Sequence, residues 1–288
     1  MNAKTITRRS GSNLALAFVS LGREARRDIT TFYAFCRIID DIADAPDLAT
    51  AEKHTRLRQW RESLVRPSAS EPSLARELRQ LIEKYRLTPA MLAEIIDGVE
   101  MDLSVNRYAT WDKLRVYCYR VASCVGLVSI EIFGYRNARC RDYAINMGLA
   151  LQTTNIIRDV GKDLAQGRIY IPAEDLARCD YSEEDLRQRV YDERFIRLMQ
   201  FQAERSRHFY ERAAAQLPEE DRRSMVAAET MAAVYGALLE RIAADQFRVF
   251  DKRYRLSKWE KVIHVVQQNL KSLRMPRRVR PSFPSGAK

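Results

Sequence analysis

The chain has 288 residues, of which 46% are hydrophobic and 30% are charged, with 10 glycines and 9 prolines. This composition excludes a disordered or low-complexity protein, because such chains lack the apolar residues that a packed core requires. No stretch rich in proline and glycine divides the sequence into two parts. We therefore predict a single folded domain over residues 1–275, followed by a short tail over residues 276–288.

Basic residues outnumber acidic ones, with 49 Lys and Arg against 38 Asp and Glu, which gives a formal net charge of +11. Such a charge suits nucleic acid, anionic lipid or a phosphorylated substrate as partner. From residue 271 onward the sequence carries basic but no acidic residues, and prolines interrupt it at Pro276, Pro281 and Pro284. The tail is predicted to be either a disordered, solvated end or a peripheral electrostatic contact with an anionic membrane.

The sequence shows no sign of export or of membrane insertion. No apolar run approaches the roughly 20 residues of a membrane span. The polar segment from Met1 to Arg9 is not followed by the apolar core of a signal peptide. The five cysteines form no CxxC pair, and an odd number argues against a disulfide framework. We expect a soluble, cytoplasmic protein with reduced thiols, and the three scattered histidines predict no zinc site.

Apolar residues recur at intervals of three and four along almost the whole chain, which is the pattern of amphipathic helices. The chain is predicted to be all-α, with helices over 24–45, 49–65, 72–86, 89–104, 111–134, 139–162, 183–190, 192–216, 219–248 and 257–274. Two stretches, 118–134 and 144–150, mix small residues with large apolar ones. Because small side chains let helices approach closely, these stretches are predicted to form the buried central helices.

The first motif that carries chemistry is Arg37-Ile-Ile-Asp40-Asp41-Ile-Ala-Asp44, at the end of the first long helix. Helical periodicity stacks Asp40 and Asp44 on one face and places Arg37 one turn earlier. Two carboxylates at this spacing repel each other unless a cation lies between them, and acid at a helix C-terminus opposes the helix dipole. The motif predicts a metal-binding ridge, and the alternative is the acidic end of a solvated helix.

The second motif places Gln152, Asn155, Asp159 and Asp163 after Gly148, along one stripe of an otherwise apolar helix. Buried polar groups are costly unless they have partners. Hard cations supply such partners, and Mg²⁺ is usually held by one or two carboxylates together with waters and substrate phosphate oxygens. The stripe predicts a second set of metal ligands, and a structural polar network is the alternative.

Two shorter segments could contribute to the same site. Arg168 and Tyr170, within Gly167-Arg-Ile-Tyr-Ile-Pro172, supply a cation and a phenol hydroxyl shortly after the second motif. Ser10 and Ser12 belong to a hydroxyl-rich segment that either caps the next helix or holds a phosphate.

Taken together, these motifs resemble the squalene/phytoene synthase family. The resemblance rests on Tyr33-Ala-Phe-Cys-Arg37 before the first acidic motif, on Tyr117-Cys-Tyr-Arg-Val-Ala-Ser-Cys-Val-Gly126, and on the second motif with the segment that follows it. It spans about residues 8 to 270. It implies an all-α isoprenoid synthase fold, with a single bundle of about ten or more helices around a central cavity. It also implies Mg²⁺, with Mn²⁺ as a substitute, and two prenyl diphosphates joined head to head.

The resemblance also assigns roles to residues of this sequence. The implied metal ligands are Asp40, Asp44, Asn155, Asp159 and Asp163. The implied catalytic residues are Asp40, Asp44, Asp159, Asp163, Tyr33 and Arg37. The implied substrate-binding residues are Ser10, Ser12, Arg37, Tyr117, Gln152, Asn155, Arg168 and Tyr170. This chain departs from the pattern at Lys162, where relatives usually carry Glu, and at Asn13, where they often carry Phe; the first weakens a metal role at 162.

The implied activity is that of a prenyltransferase of the farnesyl-diphosphate farnesyltransferase type. Its predicted product is presqualene diphosphate, or squalene if reduction follows, and phytoene or dehydrosqualene synthesis is the alternative. The sequence contains no GxGxxG fingerprint, so a requirement for NADPH stays open. A basic helical RNA-binding or scaffold protein is the alternative from another class. It is disfavoured because the acidic stripes would repel phosphate in the absence of metal. We expect a monomer without a nucleic-acid partner.

Overall fold

The computed structural model describes residues 17–273. Its α-helices in chain order are α1 (Arg23–Asp44), α2 (Thr50–Ser63), α3 (Ala75–Lys84), α4 (Pro89–Met101), α5 (Trp111–Cys118), α6 (Cys124–Phe133), α7 (Arg139–Ala165), α8 (Ala173–Arg178), α9 (Glu183–Arg187), α10 (Glu193–Gln216), α11 (Val226–Ala244) and α12 (Lys258–Leu273). Within the described range no strand forms, and Arg107 and Ile169 make an isolated β-bridge. The prediction of an all-α fold is confirmed. The predicted tail, 276–288, lies outside the described residues.

Several details of the predicted helices are wrong. The helix predicted over 219–248 begins only at Val226, because a 3₁₀ turn precedes it. In that turn the buried Asp221 accepts the backbone N–H groups of Arg136 and Asn137, each at 2.9 Å, and these bonds tie the turn to the start of α7. The sequence also fails to predict α8, whose six residues are too short to show a helical period.

α7 is the central helix of the bundle. It packs along α10 and also contacts α5, α6 and α11. Thr154 of α7 is fully buried, and its hydroxyl lies 2.9 Å from that of Ser206 on α10. Within the stretch 144–150, which was predicted to be central, every residue except Ile145 is buried, so that prediction is confirmed.

The predicted helix over 111–134 is divided by a π-helical turn at Tyr119–Ser123, which separates α5 from α6. This turn brings its backbone against α7 at Gly148. A Cβ atom added at Gly148 would lie 2.5 Å from both Cα and N of Ser123, closer than atoms can approach. The Ser123 hydroxyl also donates to the carbonyl of Ile145 at 2.8 Å. Glycine at 148 is required because no side chain fits between the two helices.

We predict that Gly148→Ala lowers the free energy of unfolding by about 1–3 kcal/mol, because the methyl group forces backbone apart. The matched control is Gly236→Ala within α11, where an added Cβ would meet no atom within 4 Å. That variant should be as stable as the wild type, or slightly more stable because alanine favours the helix. Thermal unfolding of the two variants measures the difference, and equal melting temperatures would contradict the packing argument.

By length and composition alone, the helical stretch Trp111–Phe133 could cross a membrane, so the expectation that no apolar run reaches this length is too strict. Of its most apolar window, 44% is buried inside the protein. Its π-turn and α6 contact both α4 and α7. Burial of this kind is typical of the core helix of a bundle, so the stretch is weak evidence for a membrane span.

The apolar core has several parts. One large cluster joins α1, α2, α3, α4 and α6. Another joins the C-terminal part of α7 to α10, α11 and residues 247–254. A smaller cluster contains Tyr108, Tyr117 and Tyr170, from α5 and from the loops that follow α4 and α7. All five cysteines are buried with free thiols, as predicted.

Candidate active site

The C-terminal ends of α1, α4 and α7 meet at one place, and each end carries acid. Asp40 and Asp44 lie in the last turns of α1, while Asp102 caps the end of α4. Asp163 lies in the last turn of α7. Asp102 interacts electrostatically with Asp40 and Asp44 of α1 and with Asp163. The two acidic motifs predicted from the sequence therefore lie around a single site.

The turn that ends α7 returns the chain to this site. The N–H of Gly167 donates to the carbonyl of Leu164 at 3.0 Å, and the N–H of Arg168 donates to that of Asp163 at 2.9 Å. This helix-ending pattern requires a residue with positive φ at 167, and Gly167 has a φ of 75°. The Arg168 guanidinium then donates to Asp44 on α1 at 3.2 Å. The turn at Gly167 thus positions the Arg168 guanidinium beside the acidic helix ends.

Three tyrosine rings pack together beside the acids. The ring centroids of Tyr117 and Tyr170 are 5.1 Å apart, and that of Tyr108 lies 5.8 Å and 6.0 Å from them. Asp102 holds this cluster, because Tyr170 donates to one of its oxygens at 2.7 Å and Tyr117 to the other at 3.0 Å. Burial raises the pKa of Asp102, and the hydrogen bond from Tyr170 opposes that rise.

Arginines neutralise part of the acidic charge. Arg158 donates two hydrogen bonds to its neighbour Asp159, at 2.8 Å and 2.5 Å. Arg37 pairs with Asp41 at 2.6 Å, and both of these side chains are exposed. The predicted Arg37 therefore points to the outer side of α1, although its charge still lowers the pKa of Asp40.

Asp40 and Asp163 are left without direct compensation. Among the described residues, neither carboxylate forms a hydrogen bond or an ion pair. Burial raises the pKa of Asp40 to about 7, and the charges of Asp44 and Asp102 add to the rise. Burial also raises the pKa of Asp163 to about 7, and Asp159 adds to it. Lys162 opposes this rise, so the residue that departs from the family pattern partly offsets the acidic charge.

Asn155 carries a further uncompensated oxygen. Its amide nitrogen donates to the side-chain oxygen of Gln152 at 3.4 Å. Its Oδ1 atom is buried and has no hydrogen-bond partner among the described residues. A buried carbonyl oxygen without a partner is costly, so this atom is suited to receive a ligand from outside the protein.

Of the remaining predicted residues, Tyr33 is described by the structure, whereas Ser10 and Ser12 are not. Tyr33 lies on the same face of α1 as Asp40 and Asp44, with its ring 6.2 Å from that of Phe18. Ser10 and Ser12 lie outside the described residues, so their predicted contacts with phosphate stay predictions.

The site offers oxygen ligands for a hard cation, without forming a closed cage. Within residues 17–273, no three side chains of His, Cys, Asp or Glu lie close enough together to hold a metal ion. The uncompensated groups of Asp40, Asp163 and Asn155 nevertheless match the ligand chemistry of Mg²⁺. This ion commonly binds one or two carboxylates and completes its shell with water and substrate phosphate. The residues therefore fit a Mg²⁺ ion whose remaining ligands come from outside the protein.

Asp102, Tyr108 and Arg158 belong to this arrangement but were not predicted as site residues. Asp102 could have been predicted, because it is an acid at a helix C-terminus, where its charge opposes the helix dipole. The same argument was applied to Asp44. Arg158 stands directly before Asp159 in the second motif. Tyr108 gives no such signal, since its place in the site depends on the pairing of two loops.

We predict that removing the charge of Asp40 stabilises the metal-free protein in a pH-dependent way. The carboxyl has a pKa of about 7 when folded against an ordinary value of 3.8, so the folded state binds the proton more tightly. The contribution of Asp40 to the free energy of unfolding therefore falls as pH rises from about 4 to 7. Asp40→Asn should not show this loss. Its free energy of unfolding should therefore exceed that of the wild type by up to about 1.4 kcal/mol for each unit by which folding raises the pKa of Asp40.

The measurement is the melting temperature with EDTA across this pH range. The advantage of Asp40→Asn over the wild type should grow up to about pH 7 and then level off. Asp41→Asn is the matched control, since it makes the same exchange at the exposed neighbouring position. Identical pH profiles for the two variants would show that the folded state does not raise the pKa of Asp40.

The fold and the acidic site define an all-α isoprenoid synthase. A crystal structure of a dehydrosqualene synthase in complex with ligand matches with a TM-score of 0.79 at 25% identity, covering 94% of this chain and 95% of that chain. The squalene synthase HpnC from Alicyclobacillus acidocaldarius matches with a TM-score of 0.72 at 23% identity, covering 85% of this chain and 93% of that chain.

The family model for squalene/phytoene synthase matches residues 7–260. The 15-cis-phytoene synthase of Synechococcus elongatus is 35% identical over 275 residues, which cover 90% of this chain and 88% of that protein. The phytoene synthase of Mycobacterium tuberculosis is 34% identical over 262 residues, covering 88% and 85%. The chain belongs to the squalene/phytoene synthase family, and it is a prenyltransferase.

Proposed function

We propose that this protein is a phytoene synthase, which joins two molecules of geranylgeranyl diphosphate head to head. The observation that carries the proposal is the similarity to proteins named phytoene synthase, at 34–35% identity over most of both chains. The sequence alone favoured farnesyl diphosphate and presqualene diphosphate, with phytoene as the alternative. The similarity supports the alternative.

The first chemical step is loss of diphosphate from an allylic substrate, which leaves negative charge on the departing oxygens. Members of this family generally use divalent metal ions. Such an ion would be held by Asp40, Asp163 and Asn155, and it would stabilise the leaving diphosphate by several kcal/mol. Arg168 follows the end of α7, and Arg158 lies about two turns before that end. Both can donate to phosphate oxygens, as guanidinium groups do in bidentate geometry.

The second requirement is to protect the allylic cation from water until the double bond of the other substrate attacks it. The stacked rings of Tyr108, Tyr117 and Tyr170 are largely buried and present π-electron density beside the acids. Asp102 fixes two of these rings through their hydroxyl groups, so the rings keep their positions when charge develops. These residues orient the substrate and exclude water from it.

A dehydrosqualene synthase, which would use two farnesyl diphosphates, is the second candidate. The match to the dehydrosqualene synthase structure at 25% identity favours it, since that match covers 94% of this chain. The two candidates share their chemistry and differ in the length of the chain that the enzyme accepts.

Product analysis separates them. The purified protein is incubated with geranylgeranyl or farnesyl diphosphate and Mg²⁺, with and without NADPH, and the products are identified by mass spectrometry. We predict C40 phytoene from the C20 substrate, formed in the absence of NADPH. Turnover of the C15 substrate alone would contradict the proposal and favour the second candidate.

We predict that Asp163→Asn lowers kcat by about 100-fold or more, because it removes charge stabilisation at the leaving diphosphate. The matched control is Asp142→Asn, the same exchange at an exposed position of the same helix. Steady-state kinetics at saturating substrate give kcat, and thermal unfolding verifies that both variants fold. Wild-type turnover of Asp163→Asn at limiting Mg²⁺ would remove this residue from the proposed site.

A further inference from the structure

Helix α12 carries a stripe of exposed apolar side chains, which we call the α12 stripe. Its members and their exposed fractions are Trp259 (79%), Val262 (38%), Ile263 (52%), Val266 (49%) and Leu270 (51%). Their spacing of three and four residues places them on one face of the helix. The other large apolar side chains that are exposed in the described chain, Val19, Val65 and Val116, belong to separate elements. Isolated exposed apolar residues are common, whereas a continuous apolar stripe marks an interaction surface.

The opposite face of α12 holds the helix on the protein. The helix packs against α11, with Ser272 buried and Val265 half-buried. Glu260 forms an ion pair with Arg241 of α11, and the same arginine donates to the carbonyl of Arg255 at 3.1 Å. The helix is therefore docked through its polar and mixed face, and the α12 stripe points away from the bundle.

Basic residues surround the stripe. Between residues 251 and 273 the chain has six basic residues and two acidic ones, and one of the two acids, Glu260, is already paired. Exposed cations lie before the helix at Arg253 and Arg255, at its first residue Lys258, and near its end at Lys271. Lys252 is also exposed, but it is paired with Asp245. An amphipathic helix with an apolar face, an exposed tryptophan and cationic flanks has the chemistry that binds an anionic lipid surface.

A second copy of this chain fits the stripe less well. Two α12 helices packed face to face would bring the cationic flanks of one copy against those of the other, which is unfavourable. An anionic bilayer supplies opposite charge to the same flanks and an apolar layer for the stripe.

We propose that α12 attaches the protein peripherally to anionic bilayers, with the α12 stripe at the boundary between headgroups and acyl chains. This surface is distinct from the tail over 276–288, which the sequence predicted to be either a disordered, solvated end or an electrostatic contact with an anionic membrane. It does not depend on which prenyl diphosphate the enzyme uses.

The experiment is sedimentation of the full chain with phosphatidylcholine vesicles that contain about one quarter phosphatidylglycerol. The test variant is Ile263→Gln/Val266→Gln, and the control is Val65→Gln/Val116→Gln, which places the same exchanges at exposed valines elsewhere. All exchanged side chains are exposed, so both variants should keep the wild-type melting temperature. We expect the test variant to bind vesicles about tenfold more weakly or worse, and the control to bind like the wild type.

A second readout identifies the inserted residue directly. Trp259 fluorescence should shift to the blue with anionic vesicles, and the Trp259→Phe variant should lose that shift while Trp60 and Trp111 remain. Equal vesicle binding by the test variant and the wild type would overturn the proposal. So would loss of binding on deletion of residues 276–288 alone, which would assign attachment to the tail. If the wild type formed a dimer in solution and did not bind vesicles, and if the test variant were monomeric, the stripe would be assigned to contact with a second copy.

Discussion

Three helices direct their negative ends at one another in this protein. The C-termini of α1, α4 and α7 converge, and each brings a carboxylate, so the helix dipoles and the side chains act in the same unfavourable direction. Arg168 offsets part of this charge through Asp44, while Asp40 and Asp163 keep pKa values near 7. On the proposed function, a cation that enters the site with its diphosphate would relieve this repulsion and stabilise the folded protein.

The packing of the bundle creates that convergence. α7 can lie at the centre only because Gly148 admits the backbone of the π-helical turn at Ser123. The glycine turn after α7 then directs Arg168 back to α1, and the paired loops carry Tyr170 to Asp102. Two glycines thus shape the site. Gly148 allows the close approach of helix backbones, and Gly167 allows the chain to reverse towards α1 and the tyrosine cluster.

Much of this arrangement could be predicted from the sequence, because residues spaced three or four apart lie on one face of a helix. Asp40 and Asp44, and the stripe that ends in Asp163, follow from a period of 3.6 residues. Asp102 and Tyr108 could not be predicted with the same ease, since only tertiary packing brings them to the site. The helix over 257–274 was predicted from its apolar period, but the period alone does not show that the apolar face of α12 points outward. Patterns along one helix are local, whereas the partner of each face is decided by the whole bundle.

The central claim is that uncompensated carboxylates at the helix ends hold a divalent cation together with diphosphate. Calorimetric titration of inorganic diphosphate into the full chain, with and without Mg²⁺, measures this directly and needs no prenyl substrate. We expect binding that requires Mg²⁺ and that weakens about tenfold or more in Asp40→Asn/Asp163→Asn. Diphosphate binding of equal strength in the wild type and the double variant would contradict the account.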